Sequence, residues 1–420
     1  MLSPRLKKII LIAGAAWAGL FGLPPALGYW CLVLGTLDQP VTDAVRTGLA
    51  GLLAVLLTVG VGIVFAWHAQ NSLQGKPSGP LRLPAAWLLW ATIFAMSIIG
   101  ASGISAANFA PGLFFPPLLL AAAAIPPLLA MAWFAGRDSE GLTWRRGLTA
   151  LAAGATLGAA LAVALEVLIA AAALALVAGL ADVALPGVDT LFDAMAGKDV
   201  AWALADPGLV FVFIQLALIA PLVEEAVKPL VVLPVIGRLE RRDAFLVAAM
   251  AGAGFAVLEN VVYVAAGLPL WAGILLVRAT GGAIQPLGAG LVGLGWRDVL
   301  HGEPQAGRKW AARYGAAVGL HALWNGGALL VIALGGAHFF GGLPPRIGSL
   351  GLAAAGTTLA LVITLGLAAL WLGRAVARQD TALEQLEGDV LADHGMAIWA
   401  LACLAAIVPA GIAALRLVMR

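Results

Sequence analysis

The stretch 209–237, LVFVFIQLALIAPLVEEAVKPLVVLPVIG, is apolar along nearly its whole length yet holds Glu224, Glu225 and Lys228. About 20 apolar residues in a helix cross the hydrocarbon core of a bilayer, and this run is long enough. A charge at mid-bilayer costs about 2.5–3.5 kcal/mol even on the gentler insertion scale. Three such groups persist there only by facing one another, other polar groups or water. Their spacing allows it. Glu224 and Lys228 are i,i+4 and Glu225 and Lys228 are i,i+3, so one ammonium reaches both carboxylates on one side of a helix.

The rest of the chain has the composition of an integral membrane protein. Of its 420 residues, 62% are hydrophobic and 11% charged, where soluble domains carry about 25% charged residues. The expectation is an all-α, polytopic transmembrane helical bundle of about eleven spans. They fall near 9–35, 47–67, 84–102, 112–135, 148–181, 208–236, 243–267, 270–295, 313–335, 349–373 and 396–416. Pro24-Pro25, Pro116-Pro117 and Pro126-Pro127 are expected to kink or break their segments. The basic, apolar N-terminus reads as a retained first helix, its apolar run being longer than that of a signal peptide. A net charge of +2 gives no footing for nucleic-acid binding. Cys31 and Cys403 form neither a metal spacing nor a disulfide framework.

Loop charges set the orientation. Arg5, Lys7 and Lys8, then Lys76 and Arg82, and the basic residues near 137–146, 238–242, 297–313 and 374–378 fall on one side. The other side receives Arg46, Lys198, Arg346, Arg416 and Arg420. This asymmetry predicts a multi-pass protein of the cytoplasmic (inner) membrane with its N-terminus in the cytoplasm. The acidic loop 182–207 then faces outward, with VDTLFDAMAG as a short surface helix, and 379–395 reads as a solvated cytoplasmic segment. Three regions follow: N-terminal membrane helices and the acidic loop over 1–207, a core carrying the polar residues over 208–335, and C-terminal membrane helices over 336–420.

Inside the spans the ionisable residues are Glu166, Glu224, Glu225, Lys228, Glu259, Arg278 and His321. Glu166 stands alone on its span and reads as structural or snorkelling. The other six lie on four consecutive helices. Phe255 and Glu259 are i,i+4 with Asn260 adjacent, and His321 and Asn325 are i,i+4. Their depths, at 1.5 Å per residue, agree with one cluster in the middle or inner half of the membrane. Two carboxylates pressed together at low dielectric cannot both ionise easily, so one is suited to hold or take a proton. A glutamate base with histidine and asparagine to steady an oxyanion can activate water against a peptide carbonyl.

Three motifs occur in order on these helices: EEAVK as EExxK, FAVLEN as FxxxEN and HALWN as HxxxN. In this the chain resembles the PrsW family of intramembrane proteases, relatives of the CAAX-processing glutamate endopeptidases, over about residues 220–330. The resemblance implies a water-activating role for Glu224 and Glu225, a catalytic role for His321, completion of the site by Glu259 with Asn260, and a basic partner in Lys228. Asn325, Arg278 and Gln285 belong to the same site. The implied substrate is a membrane protein, such as a single-span regulator or precursor, met in the lipid bilayer.

One position departs from the pattern. Arg278 is present, but Gln285, seven residues on, stands where the family's histidine is expected. Glutamine donates and accepts hydrogen bonds but cannot carry a proton. The chemistry favoured is metal-independent. Zinc or another divalent ion would take Glu224, Glu259 and His321 as ligands and leave a position for water. Two rival readings stay open: a catalytically lapsed relative that binds membrane partners, supported by Gln285, and a proton-coupled transporter, since buried Glu, Arg and His also serve transport. Plainer roles stand beside the catalytic ones: an ion-pair staple for Glu224, Glu225 and Lys228, core packing for His321, and helix glue for Asn325.

Overall fold

The structure is a computed structural model that describes residues 3–35, 41–83, 86–103, 111–136, 142–178, 207–268, 271–339 and 345–378. Most of the acidic loop 182–207, the segment 379–395 and the expected span 396–416 lie outside the described residues. Among the described residues the elements are helices, without a strand. Seven are long and apolar enough to cross a membrane.

In chain order the helices are α1 (Pro4–Gly35), α2 (Val41–Val55), α3 (Val61–Leu73), α4 (Ala86–Gly103), α5 (Pro111–Ala135), α6 (Trp144–Ala153) and α7 (Ala159–Ala178). Then follow α8 (Pro207–Ile214), α9 (Ala220–Leu230), the short α10 (Leu233–Ile236), α11 (Arg241–Ala266), α12 (Trp271–Thr280), α13 (Ile284–Leu300), α14 (Ala306–Phe339) and α15 (Pro345–Ala377). Single π turns at Leu56–Gly60, Gly154–Gly158 and Gln215–Ile219 join α2 to α3, α6 to α7 and α8 to α9. Of the segments whose prolines are expected to kink or break them, 112–135 stays one continuous helix: Pro116, Pro117, Pro126 and Pro127 all lie inside α5. In lipid, neighbouring helices can satisfy the backbone groups that proline leaves free.

Helix α11 is the axis of the bundle, with 78% of its apolar window buried. Its sequence explains this. Between Ala248 and Gly254 every residue but Met250 is alanine or glycine, which leaves little side chain between the backbone and the neighbours on the faces away from Met250. A Cβ on Gly154 would run into the carbonyl oxygen of Ala251, and one on Gly254 into that of Leu151. The two helices therefore meet backbone to backbone, as small residues permit in membranes. On another face, Gly252 lies against the Gln285 carbonyl at the start of α13. Phe134, Phe245, Leu246, Met250, Ile284 and Leu287 form the main apolar core around this axis. Phe134 and Phe245 pack tilted, with centroids 5.9 Å apart.

One end of the bundle is fixed by charge. Asp298, 0% exposed at the end of α13, accepts from Arg241 at 2.5 Å and from Arg313 at 2.7 Å, with Arg297 at 3.4 Å. Loop counting treats these arginines as surface charge, whereas they bind α11, α13 and α14 to one carboxylate and so set the helices' relative depth. Removing one partner of a dry ion pair costs about 3–5 kcal/mol, and somewhat less here because Arg241 and Arg313 are partly exposed. Asp298→Ala is expected to lose about 2–3 kcal/mol of stability by this reasoning, read as earlier unfolding in graded denaturing detergent.

Candidate active site

Helix α9 ends early. Pro221 follows the π turn through which α8 runs on into α9, and Pro229 lies in the last turn, one residue before the helix ends at Leu230. Its buried face carries Val223, Glu224, Val227 and Lys228 together with Glu225. Lys228 is 0% exposed. Its Nζ donates to Glu225 Oε1 at 2.7 Å and lies 3.0 Å from Glu224 Oε2, a charge contact without hydrogen-bond geometry. The Phe255 ring covers the ammonium at 4.7 Å to its centroid.

From α14, His321 enters the same group. Its Nδ1 is 2.8 Å from Glu225 Oε1 and 3.9 Å from Glu224 Oε2. An ionised carboxylate only accepts, so Nδ1 carries the proton in the contact with Glu225. Among the described residues His321 Nε2 has no hydrogen-bond partner, and neither has the second oxygen of Glu225. Helix α13 passes directly over that oxygen at Gly288, where a Cβ would collide with it. Gly288 is thus a site residue that lies outside the three motifs.

A second group lies beside the first. Arg278 Nη2 donates to Glu259 Oε2 at 2.6 Å and its Nε to Asn260 Oδ1 at 2.6 Å. Asn260 in turn donates to the Ala123 carbonyl at 2.9 Å, which ties the arginine to α5. Tyr263 and Trp324 flank the guanidinium at 4.7 and 5.0 Å. Neither aromatic was picked out in the sequence, although Tyr263 follows Glu259 by four residues and Trp324 sits inside HALWN. Gln285 donates its amide to Glu259 Oε2 in a short contact, and its own Oε1 has no partner among the described residues.

Asn325 faces elsewhere. Its amide donates to the Leu216 carbonyl at 3.0 Å, within the π turn Gln215–Ile219 that leads into α9. A π turn disturbs the regular backbone ladder and leaves carbonyls to be met by side chains. Asn325 therefore clasps α14 to the approach of the glutamate pair. Glu166, half-buried on α7, lies within electrostatic reach of Glu259, Lys228 and Glu224 and is not the isolated residue its span suggested.

The molecule is a helical membrane protein in which a glutamate pair, an ammonium and an imidazole are sealed together away from solvent. Residues 146–347 match the family model of the PrsW family intramembrane metalloprotease, and this region is a PrsW-family protease domain. The match takes in α7 with Glu166 as well as the three motifs. No curated protein and no solved structure matches the chain.

The family description implies a metal. Among the described residues, no three His, Cys, Asp or Glu side chains stand close enough together to hold one. Glu259 is committed to Arg278 and Gln285, and Lys228 puts a fixed positive charge against both Glu224 and Glu225. A divalent ion would meet that ammonium within the shell it needs, so this donor set does not fit a metal.

Gly288 gives a direct check on the packing over Glu225. Gly288→Ala forces either the carboxylate or α13 to move, and such overpacking costs about 1–3 kcal/mol. The expected result is a correspondingly less stable protein in detergent unfolding, with Gly273→Ala, which meets open space, as the neutral control.

Proposed function

We propose that the chain hydrolyses a peptide bond in a membrane-embedded or membrane-proximal protein by glutamate-activated water. The observation that carries this reading is the 2.8 Å contact of His321 Nδ1 with Glu225, which leaves Nε2 unpartnered on a ring 3.9 Å from Glu224 Oε2. Glu225, neutralised by Lys228, orients the imidazole as a carboxylate orients histidine in hydrolytic triads. Glu224 accepts the proton of a water molecule whose oxygen attacks the scissile carbonyl carbon. His321, with its proton on Nδ1, presents the lone pair of Nε2 to the second hydrogen of that water and holds it for attack. The C–N bond then breaks, and the proton held by Glu224 passes to the departing amine. Glu259 stays ionised between Arg278 and Gln285 and keeps the guanidinium in place.

The substrate favoured is a single-span regulator or precursor, approached from the bilayer. The protein is placed in the cytoplasmic membrane with its N-terminus inside, on the strength of the basic loops. Glu224→Gln and His321→Ala, each reconstituted with single-span reporter proteins, are expected to cut about 100-fold or more slowly than the parent, the usual range for a lost general base or acid. Unchanged cutting in both variants rejects the assignment. Cutting by the parent is expected to survive exhaustive chelation, since no step above uses a metal.

Gln285 supports a second reading, a lapsed relative retained for binding. Gln285→His separates the two. If cutting appears only in the variant, the parent is lapsed; if the parent cuts and the variant does not cut faster, the amide suffices.

A further inference from the structure

Glu166 is the buried-face carboxylate that the reaction above leaves without a task. Helix α7 is peripheral: its span has 17% of its apolar window buried, and Val163, Leu165, Val167 and Leu168 point outward. Its inward face is narrow and regular. Ala159 and Ala162 pack on Val223 and Val227 of α9 and on Phe255 of α11. Glu166 continues that face one turn further along, at i+4 from Ala162. It therefore stands at the seam where α7 meets α9 and α11, between the lipid and the glutamate cluster. No hydrogen bond or ion pair joins it to a described residue, while the charges of Glu259, Lys228 and Glu224 all reach it.

The charge balance of the cluster shows what the seam lacks. Glu166, Glu224, Glu225 and Glu259 are four carboxylates; Lys228 and Arg278 are the fixed cations, and both are already spent on the other three acids. A deficit of donors says the same independently. Gln285 Oε1 and Glu224 Oε2 are buried acceptors without hydrogen-bond partners among the described residues. A site short of positive charge and of donors is complementary to a ligand that brings both. An unpaired carboxylate at bilayer depth is also costly in the absence of that ligand.

We infer that Glu166 is a substrate-docking residue, and that the membrane segment admitted beside α7 carries a lysine or arginine within the bilayer, whose side chain pairs with it. This rests on the proteolytic reading for the site's purpose but not for its test. A basic residue inside a span is rare and expensive in lipid, so such a preference would select a small class of single-span proteins. It would also draw them out of the bilayer, because the pairing relieves both partners.

The test measures binding without turnover. His321→Gln protein, which keeps all four carboxylates, is placed in lipid nanodiscs with chelator present. Fluorescent Leu/Ala single-span peptides bearing one central Lys, Gln or Glu are titrated in. The Lys peptide is expected to bind about tenfold tighter than the Gln peptide, a difference of about 1.4 kcal/mol. Adding Glu166→Gln should reduce that preference to within about twofold, and Glu166→Asp should keep part of it. Both changes are small and lie on a peripheral helix face, so folding is retained. Equal binding of Lys and Gln peptides, or a preference that survives Glu166→Gln, overturns the inference. Selective binding of the Lys peptide by a parent protein that cuts none of the peptides supports docking and counts against proteolysis instead.

Discussion

A lysine with no solvent contact, shared between two neighbouring glutamates, is the constraint around which this bundle is arranged. In water the three groups would each keep a hydration shell. In the membrane interior the ammonium must supply what solvent would have given both acids, and the acids must do the same for it. That exchange works only at contact distance, and Lys228 reaches both carboxylates from the same turns of α9. The Phe255 ring closes the remaining side of the ammonium with a face of negative potential. Everything near the trio then has to be close and dry. Gly288 lets α13 lie on Glu225, and the small residues of α11 bring the backbones of α6 and α13 in without side chains between them.

His321 takes its meaning from the same constraint. Glu225 is already neutralised, so its contact with Nδ1 does not draw the imidazole into a full ion pair; it fixes the ring and the tautomer. The other nitrogen, Nε2, has no hydrogen-bond partner among the described residues. Glu259 differs in kind. With a guanidinium and an amide both on one oxygen, its negative charge is settled, and it is poorly suited to take a proton. The two groups differ in their ties: Glu224, Glu225, Lys228 and His321 contact one another across α9 and α14, whereas Glu259, Asn260 and Arg278 link α5, α11 and α12.

Much of this is legible in the sequence, for identifiable reasons. Long apolar runs place the helices because lipid leaves the backbone no alternative. The i,i+3 and i,i+4 spacings of EEAVK foretell the ion triad, and the rarity of charge inside spans marks which residues converge. What stays hidden depends on contacts between distant segments. The π turn at Gln215–Ile219 leaves no mark in composition, so Asn325 reads as a candidate for the reaction when its amide in fact serves the Leu216 carbonyl. Asp298 escapes notice because a carboxylate at a span's end looks solvated, yet three arginines bury it. The prolines of α5 do not end it, because in a packed membrane bundle neighbouring helices can meet the backbone groups they free.

Gln285 shows how far a single departure from a motif can be interpreted physically. An imidazole at that position would share Glu259 with Arg278 and could add or remove a charge as conditions change. An amide cannot. It donates to Glu259 under all conditions and leaves its carbonyl turned to a place where the protein offers no donor. The replacement thus exchanges a titratable group for a fixed acceptor, and it does so in a cluster that already has more acceptors than donors. That shift moves the site away from binding anything that must compete with a proton and toward holding a hydrogen-bond donor. The basic side chain inferred to dock at Glu166 would bring donors to this same acceptor-rich cluster.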